Sequence, residues 1–348
     1  MNIDINLKSI LMILIPFIFS ALIVPFVKKV ANHVRAMDIP NERKVHKIPM
    51  PRLGGLAIFF AFLFGYMIFG DVSNAMISIL IGSFIIILTG MVDDINPVDA
   101  KIKLLFQTLA TLVVVFYGQI LLKDISAFGI YLDFGIFAYP ITIIFILGCI
   151  NCMNLIDGLD GLAAGISSIF FATVAAITLI RGQFGLPYEL TFIMLGSTLG
   201  FLLHNFYPAK IFMGDSGSMF LGFIIAVITL LGFKNVMMSS IIIPLLILAI
   251  PILDTFFAII RRKLKGQSVS VPDKAHIHHQ LLSRNFSHRN TVLIIYLINV
   301  LFSLASIFYV LKNRPLGYII YGILVIIVVT FIFKTNVIVD HTKRGKSC

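Results

Sequence analysis

Apolar residues in this chain neither alternate nor recur at helical spacing; they run on in long blocks separated by short polar stretches. Blocks long enough to cross a bilayer, about 20 residues each, fall at roughly 7–27, 53–70, 75–92, 103–121, 137–153, 162–180, 188–204, 217–233, 238–260, 292–311 and 315–333. Lipid offers the backbone no hydrogen-bonding partner, so such blocks must be helices that satisfy themselves. The pattern predicts an all-α, polytopic integral membrane bundle of about eleven transmembrane helices. Residues 1–348 read as a single transmembrane domain, and the loops 28–52, 93–103, 151–161, 204–216 and 261–291 carry its unusual polar clusters.

Composition agrees: 59% of residues are hydrophobic, 12% are charged, and the mean hydropathy is +1.02, more apolar surface than a water-soluble core can use. The first block lacks a small-residue cleavage site and is followed at once by a basic loop, so it reads as a retained span and not a signal peptide. Alternate loops, counted from 28–52, hold 21 of the 27 lysines and arginines; the positive-inside rule puts those loops and the C-terminus in the cytoplasm and the N-terminus outside. The net charge of +11 is thus loop asymmetry plus affinity for anionic headgroups or substrates, and no aromatic-interleaved basic module points to nucleic acid. Cys149, Cys152 and Cys348 form no disulfide framework, and the C-x-x-C within a span reads as packing.

On this topology every polar cluster falls at one membrane face. In NCMNLIDGLDGL, Asn151, Asn154, Asp157 and Asp160 recur every third residue while Gly158, Gly161 and Gly165 weaken the helix, which predicts a helix end opening into a tight turn. Asp93 and Asp94 close the third span; they read either as charges that stop it or, since adjacent like charges beside lipid are costly, as groups awaiting a cation or donors. In FMGDSGS, Ser216 or Ser218 can cap the next helix, glycine-flanked amides suit an anion, and Asp215 is a hard oxygen ligand suited to Mg²⁺. His276, His278 and His279 in HIHH lack the spacing and cysteines of a zinc site and, after Arg261, Arg262, Lys263 and Lys265, read as hydrogen-bond donors to a phosphate; a solvated basic loop is the plainer alternative. His33 and His288 read as surface residues, and Asp254 as a buried polar group of the ninth span. Carboxylates for a metal, an anion turn and a basic loop at one face suggest phosphoryl chemistry between a soluble nucleotide and a lipid.

KVHKIPMPRLGG, the VDD of the third span, NLIDGLDGL, FMGDSGS, PILDTFFAIIRR and DKAHIHH, in this order over residues 43–282, resemble the polyprenyl-phosphate N-acetylhexosamine-1-phosphate transferases, glycosyltransferase family 4, and within them the WecA/TagO type. The resemblance implies a bacterial plasma-membrane enzyme with its active site facing the cytoplasm, transferring N-acetylhexosamine-1-phosphate, GlcNAc-1-phosphate first, from a UDP-sugar to undecaprenyl phosphate with release of UMP. It would begin a cell-surface polymer such as teichoic acid or O-antigen. It implies Mg²⁺, with Mn²⁺ as a substitute, on Asp215; a uracil site at Gly158, Leu159 and Asp160 with Phe212 stacking and Lys47 reaching in; and Asn154, Asp157 and Asn205 lining the same cleft. Asp93, Asp94 and Lys103 match the site that receives the lipid phosphate, and His276, His278 and His279 the histidine loop needed for activity. UDP-N-acetylhexosamine, undecaprenyl phosphate, membrane lipid and a second copy of the chain are the expected partners. Two rivals stand beside this reading: a MurNAc-pentapeptide phosphotransferase from the same superfamily, and, from another class, an ion-coupled transporter, which would place such residues near the midplane between inverted repeats.

Overall fold

The computed structural model describes residues 3–40, 48–127, 130–234, 248–264, 266, 277–311 and 314–333. The chain forms two units, Met1–Pro244 and Leu245–Cys348. In the first, helices α1 (Ile3–His33), α2 (Gly54–Phe69), α3 (Asn74–Ile95), α4 (Ala100–Leu112), α5 (Ala138–Ile156), α6 (Leu162–Arg181), α7 (Leu186–Asn205) and α8 (Gly214–Lys234) follow one another. A π-helical turn, Val113–Tyr117, prolongs α4. The second unit holds α9 (Ala249–Leu264), α10 (Ile277–Ser283), α11 (His288–Val310) and α12 (Arg314–Phe333). Among the described residues, eight helices are long and apolar enough to cross a membrane, and the shorter apolar helices Gly54–Phe69 and Leu316–Thr330 add to them. The protein is therefore a multi-pass, helical membrane protein.

Several boundaries differ from those the hydropathy blocks predict, and at the start of α4 a side-chain cap explains the shift. Asp99 accepts from the Lys101 amide at 2.7 Å and starts α4 early, so Lys103 stands in the first turn of a helix. Helix α3 continues to Ile95, so Asp93 and Asp94 are its last turn, and α8 begins at Gly214, so Asp215 is in its first. The block at 238–260 is described only from residue 248 on, where α9 begins at Ala249. Two small antiparallel pairs lie outside the all-α expectation. β1 (Met37–Asp38) pairs with β2 (Met50–Pro51), and β3 (Asp124–Ala127) with β4 (Ile130–Asp133). They form where the chain leaves the apolar blocks and the helix period no longer has lipid to enforce it.

Helix α8 is the axis of the first unit. It packs against α2, α3, α5, α6 and α7, while α1 lies against α7 and α2. Phe220, Leu221, Phe223, Ile224, Ile225, Ala226 and Val227 of α8 are all fully buried. Between helices, tight fit has to replace the hydrophobic effect that lipid removes. At α8's first turn this fit is extreme: a Cβ on Gly55 would stand 2.1 Å from the Gly217 nitrogen, and one on Gly90 2.3 Å from the Ser216 Cα. Buried hydroxyls are absorbed along the helices by bonding to carbonyls four residues back, as Thr111 does to Gln107 and Ser168 to Ala164.

In the second unit, α11 packs against α12, where the Tyr321 hydroxyl donates to Ser306 Oγ at 2.7 Å. Asp254 of α9 is buried and its Oδ1 accepts from the Ile277 amide at 2.8 Å, which names the partner of this intramembrane carboxylate and holds the start of α10.

Because backbone, not a flexible side chain, fills the space at Gly90, Gly90→Ala should lower the thermal midpoint of the detergent-solubilised protein by several degrees, about 1–3 kcal/mol of overpacking. An unchanged midpoint would show that α3 can slide away from α8 at no cost.

Candidate active site

The loops α1–α2, α3–α4, α5–α6 and α7–α8 meet at one end of the first unit, as the alternation of spans requires. Main-chain bonds lace the first to the last: Phe212 N donates to Pro51 O at 2.8 Å, Gly54 N to Phe212 O at 3.0 Å and Gly55 N to Met213 O at 2.9 Å. This brings the arginine of PRLGG and the aspartate of GDSGS together. Side chains lace the α5–α6 turn to the α7–α8 loop. Asp160 Oδ2 accepts from Ala209 N at 2.9 Å, and buried Asn205 accepts from Gly161 N at 3.1 Å while donating to Ile211 O at 3.0 Å. The turn after α5 is as tight as its glycines suggest, ending the helix at Ile156 and restarting it after Gly161, whose φ is +78°.

At the centre stands Asp94, whose side chain is fully buried. Its Oδ1 accepts from Asp215 N at 2.9 Å and its Oδ2 from Ser216 N at 3.1 Å and Ser216 Oγ at 2.8 Å. A residue of α3 therefore caps α8, where a helix start leaves amides without partners and favours negative charge. Gly214 sits at φ +75°, and a Cβ there would stand 2.3 Å from Asp94 Oδ2, so glycine is required on both counts.

Around this cap, charges alternate. Arg52 Nη2 lies 3.2 Å from Asp94 Oδ1 and 3.2 Å from Asp215 Oδ1, and its Nη1 lies 3.5 Å from Asp38 Oδ1. Lys103 Nζ lies 3.0 Å from Asp215 Oδ2 and 3.2 Å from Asp93 Oδ1. Asp93 Oδ1 also accepts from Val98 N at 2.8 Å, and Lys103 joins it to Asp215. Burial works against the charge of Arg52, but Asp94, Asp215, Asp38 and Asp93 outweigh it and hold the guanidinium above its ordinary pKa. Four carboxylates face two cations, a formal excess of two negative charges that one divalent cation balances. Among the described residues no three of His, Cys, Asp and Glu stand as a ready-made metal cage. Mg²⁺ does not need one: one or two carboxylates, with water and phosphate oxygens, are its usual shell. Asp215 and the adjacent Asp93 fit that donor set.

The structure thus gathers Asp93, Asp94, Lys103 and Asp215, with Asn154 reaching Ser218 Oγ of α8's first turn at 2.9 Å. Leu159 is buried, Gly158 exposed and Phe212 half-buried beside the laced strand. Lys47 and His276 lie outside the described residues. His278, buried, and His279, their ring centroids 4.3 Å apart, open α10 of the second unit. Sequence reasoning passed over Arg52 and Asp38 because arginines in that loop are accounted for by the positive-inside rule. The available signal was an arginine directly before Leu53-Gly54-Gly55, a place where the chain re-enters the apolar bundle. It also passed over Gln107, whose Oε1 accepts from Asn151 Nδ2 at 2.9 Å and ties α4 to α5.

Burial, then the nearness of Asp215, Asp94 and Asp160 against the opposing pull of Arg52, pushes Asp157 up to about 8. An unfolded aspartate loses its proton near 4. Asp157 therefore favours the folded state fully below about pH 4, and that contribution is lost as pH rises through about 8. In metal-free buffer, Asp157→Asn should gain thermal midpoint relative to the parent protein as pH rises from 5 to 9; parallel melting curves would show that Asp157 is already ionised in the fold.

The sequence matches the family described as glycosyl transferase family 4 over residues 76–233. Over 328 residues it is 44% identical to the probable undecaprenyl-phosphate N-acetylglucosaminyl 1-phosphate transferase of Bacillus subtilis (strain 168), spanning 92% of this chain and 91% of that protein. It is 32% identical over 302 residues to the decaprenyl-phosphate N-acetylglucosaminephosphotransferase of Mycobacterium tuberculosis (strain ATCC 25618 / H37Rv), spanning 78% of this chain and 75% of that protein. With the undecaprenyl-phosphate alpha-N-acetylglucosaminyl 1-phosphate transferase of Escherichia coli (strain K12) it shares 31% identity over 298 residues, 84% of this chain and 80% of that one. Similarity of that extent makes the chain a member of glycosyl transferase family 4, of its WecA/TagO type.

Proposed function

We infer that this chain transfers N-acetylglucosamine-1-phosphate from UDP-N-acetylglucosamine to undecaprenyl phosphate, yielding undecaprenyl-diphospho-N-acetylglucosamine and UMP. The observation that carries this reading is the convergence of Asp93, Lys103, Arg52 and Asp215 at one end of an apolar bundle. There a water-soluble diphosphate and a lipid phosphate can meet. The relatives named for polyprenyl-phosphate acceptors and N-acetylglucosamine support it. That end faces the cytoplasm, on the excess of lysine and arginine in the loops that meet there.

In the reaction, an oxygen of the acceptor phosphate bonds to the β-phosphorus of the donor. The bond from that phosphorus to the bridging oxygen breaks, and the electron pair leaves with UMP. A phosphate monoester has a second pKa of about 6 and is already largely ionised at neutral pH. The protein's task is then to hold two anions in line and neutralise them, more than to remove a proton. Lys103, between Asp93 and Asp215, is placed to receive the acceptor phosphate. Mg²⁺ bound at Asp215 and Asp93 would neutralise the charge on the diphosphate. Asn154 and the turn Asp157–Asp160 line the approach for the nucleotide, and Asn205 braces that turn from behind.

Purified protein with undecaprenyl phosphate should release UMP from UDP-N-acetylglucosamine, and not from UDP-N-acetylgalactosamine or UDP-MurNAc-pentapeptide. Release should stop with EDTA and fall about 100-fold or more in Asp215→Asn. Release from the pentapeptide substrate would move the protein to the peptidoglycan branch, and no release from any donor would sink the transferase reading. Asp93→Asn should lose activity evenly from pH 6 to 9; recovery of that variant at high pH would instead make Asp93 a general base.

A further inference from the structure

Arg52 is the cation of the cluster that the chemistry above leaves without a task. Its guanidinium is a fork: one nitrogen is set on Asp38, the other is shared between Asp94 and Asp215. Asp94 cannot move, because three donors from the start of α8 fix it. Asp38 and Arg52 close the pairing of β1 with β2, in which Asp38 faces Met50 and Met37 faces Pro51, and Leu53, directly after Arg52, is held at φ +89°. Arg52 is thus held between the fixed carboxylate of Asp94 and that of Asp38, and reaches the third, Asp215, with the nitrogen it also sets on Asp94. Lys103 approaches the same carboxylate from the other side, at Oδ2, where Arg52 takes Oδ1.

We propose that Arg52 is a positioning residue for Asp215: anchored on Asp38 and Asp94, it holds Oδ1 in place and competes with a divalent cation for that carboxylate. The proposal rests on the transferase reading for its catalytic consequence, while Mn²⁺ binding reads its metal half without turnover. A planar guanidinium held by two other carboxylates presents its nitrogen to Asp215 from a fixed direction, as a freely rotating ammonium does not. A positive charge at hydrogen-bonding distance from Asp215 also opposes a dication there, and removing one such charge in a partly solvated site changes affinity by about tenfold. Arg52 would therefore weaken metal binding while making the metal that does bind correctly placed. The two effects are opposite in sign, which separates this role from ordinary structural support.

The test uses Mn²⁺ as the probe, titrated into the substrate-free, full-length protein in detergent and followed by loss of the free-ion electron paramagnetic resonance signal. UMP release is measured alongside at saturating metal. Arg52→Gln should bind Mn²⁺ about tenfold more tightly than the parent and turn over at least tenfold more slowly, with KM for UDP-N-acetylglucosamine within threefold. Arg52→Lys, which keeps the charge but loses the fork, should bind Mn²⁺ within threefold of the parent and still turn over about tenfold more slowly. Unchanged or weaker Mn²⁺ binding in Arg52→Gln would overturn the proposal, as would a raised KM with metal binding unaltered, which would make Arg52 a direct ligand of the nucleotide. If the glutamine variant does not survive purification, full turnover in Arg52→Lys overturns it equally. Absence of UMP release from the parent protein would count against the transferase reading and leave the Mn²⁺ comparison to decide on Arg52.

Discussion

Helix α8 begins within protein, where the amides of its first turn cannot turn to water for partners. A carboxylate from α3 meets them, and the bond from Asp94 to Asp215 N and to Ser216 does three things at once. It ends one helix on the start of another, it fixes the backbone that carries Asp215, and it sets a buried negative charge where Arg52 can be held. Gly55 and Gly90 let the neighbouring backbones come close enough for this, and Gly214 leaves the space that the carboxylate fills. Without that bond there is no fixed position for the groups around it.

The cluster around the cap is built of opposites that only partly cancel. Lys103 and Arg52 are themselves partly exposed, with 22% and 24% of their side-chain surface in contact with solvent. Fully buried ion pairs would be held too firmly to exchange partners, while fully exposed ones contribute little. The proposed transfer calls for an intermediate setting, with groups ordered in advance that can still exchange partners. Asp94, by contrast, is sealed, as a structural member should be.

Much of this was legible in the sequence, and the physical reasons differ from part to part. Lipid imposes one backbone solution, so long apolar blocks could be read as helices almost without further information. Polar residues in so greasy a chain have few structural uses, which made Asp93, Asp94, Asn154, Asp157 and Asp215 stand out, and positive-inside counting put them at one end. The sequence did not show which of two adjacent aspartates is the cap and which faces the site. That depends on the rotation of α3 against α8, a packing outcome with no local signature. Arg52 was hidden for the opposite reason: it had a sufficient explanation already. The β1–β2 and β3–β4 pairs escaped because two to four residues are too few to show a period.

The cap joins residues 121 and 122 positions apart in the chain. During synthesis at about 5–20 residues per second, Asp94 would leave the ribosome roughly 6 to 24 seconds before the amides that satisfy it. A carboxylate waiting that long at the middle of a bilayer would be expelled or would drag α3 with it. Placed in the last turn of α3, it can wait at the membrane surface, in water, until α8 arrives. With these aspartates at helix ends, the bundle can be threaded into the membrane piece by piece with its charges still wet, and the cluster is complete only when α8 closes it.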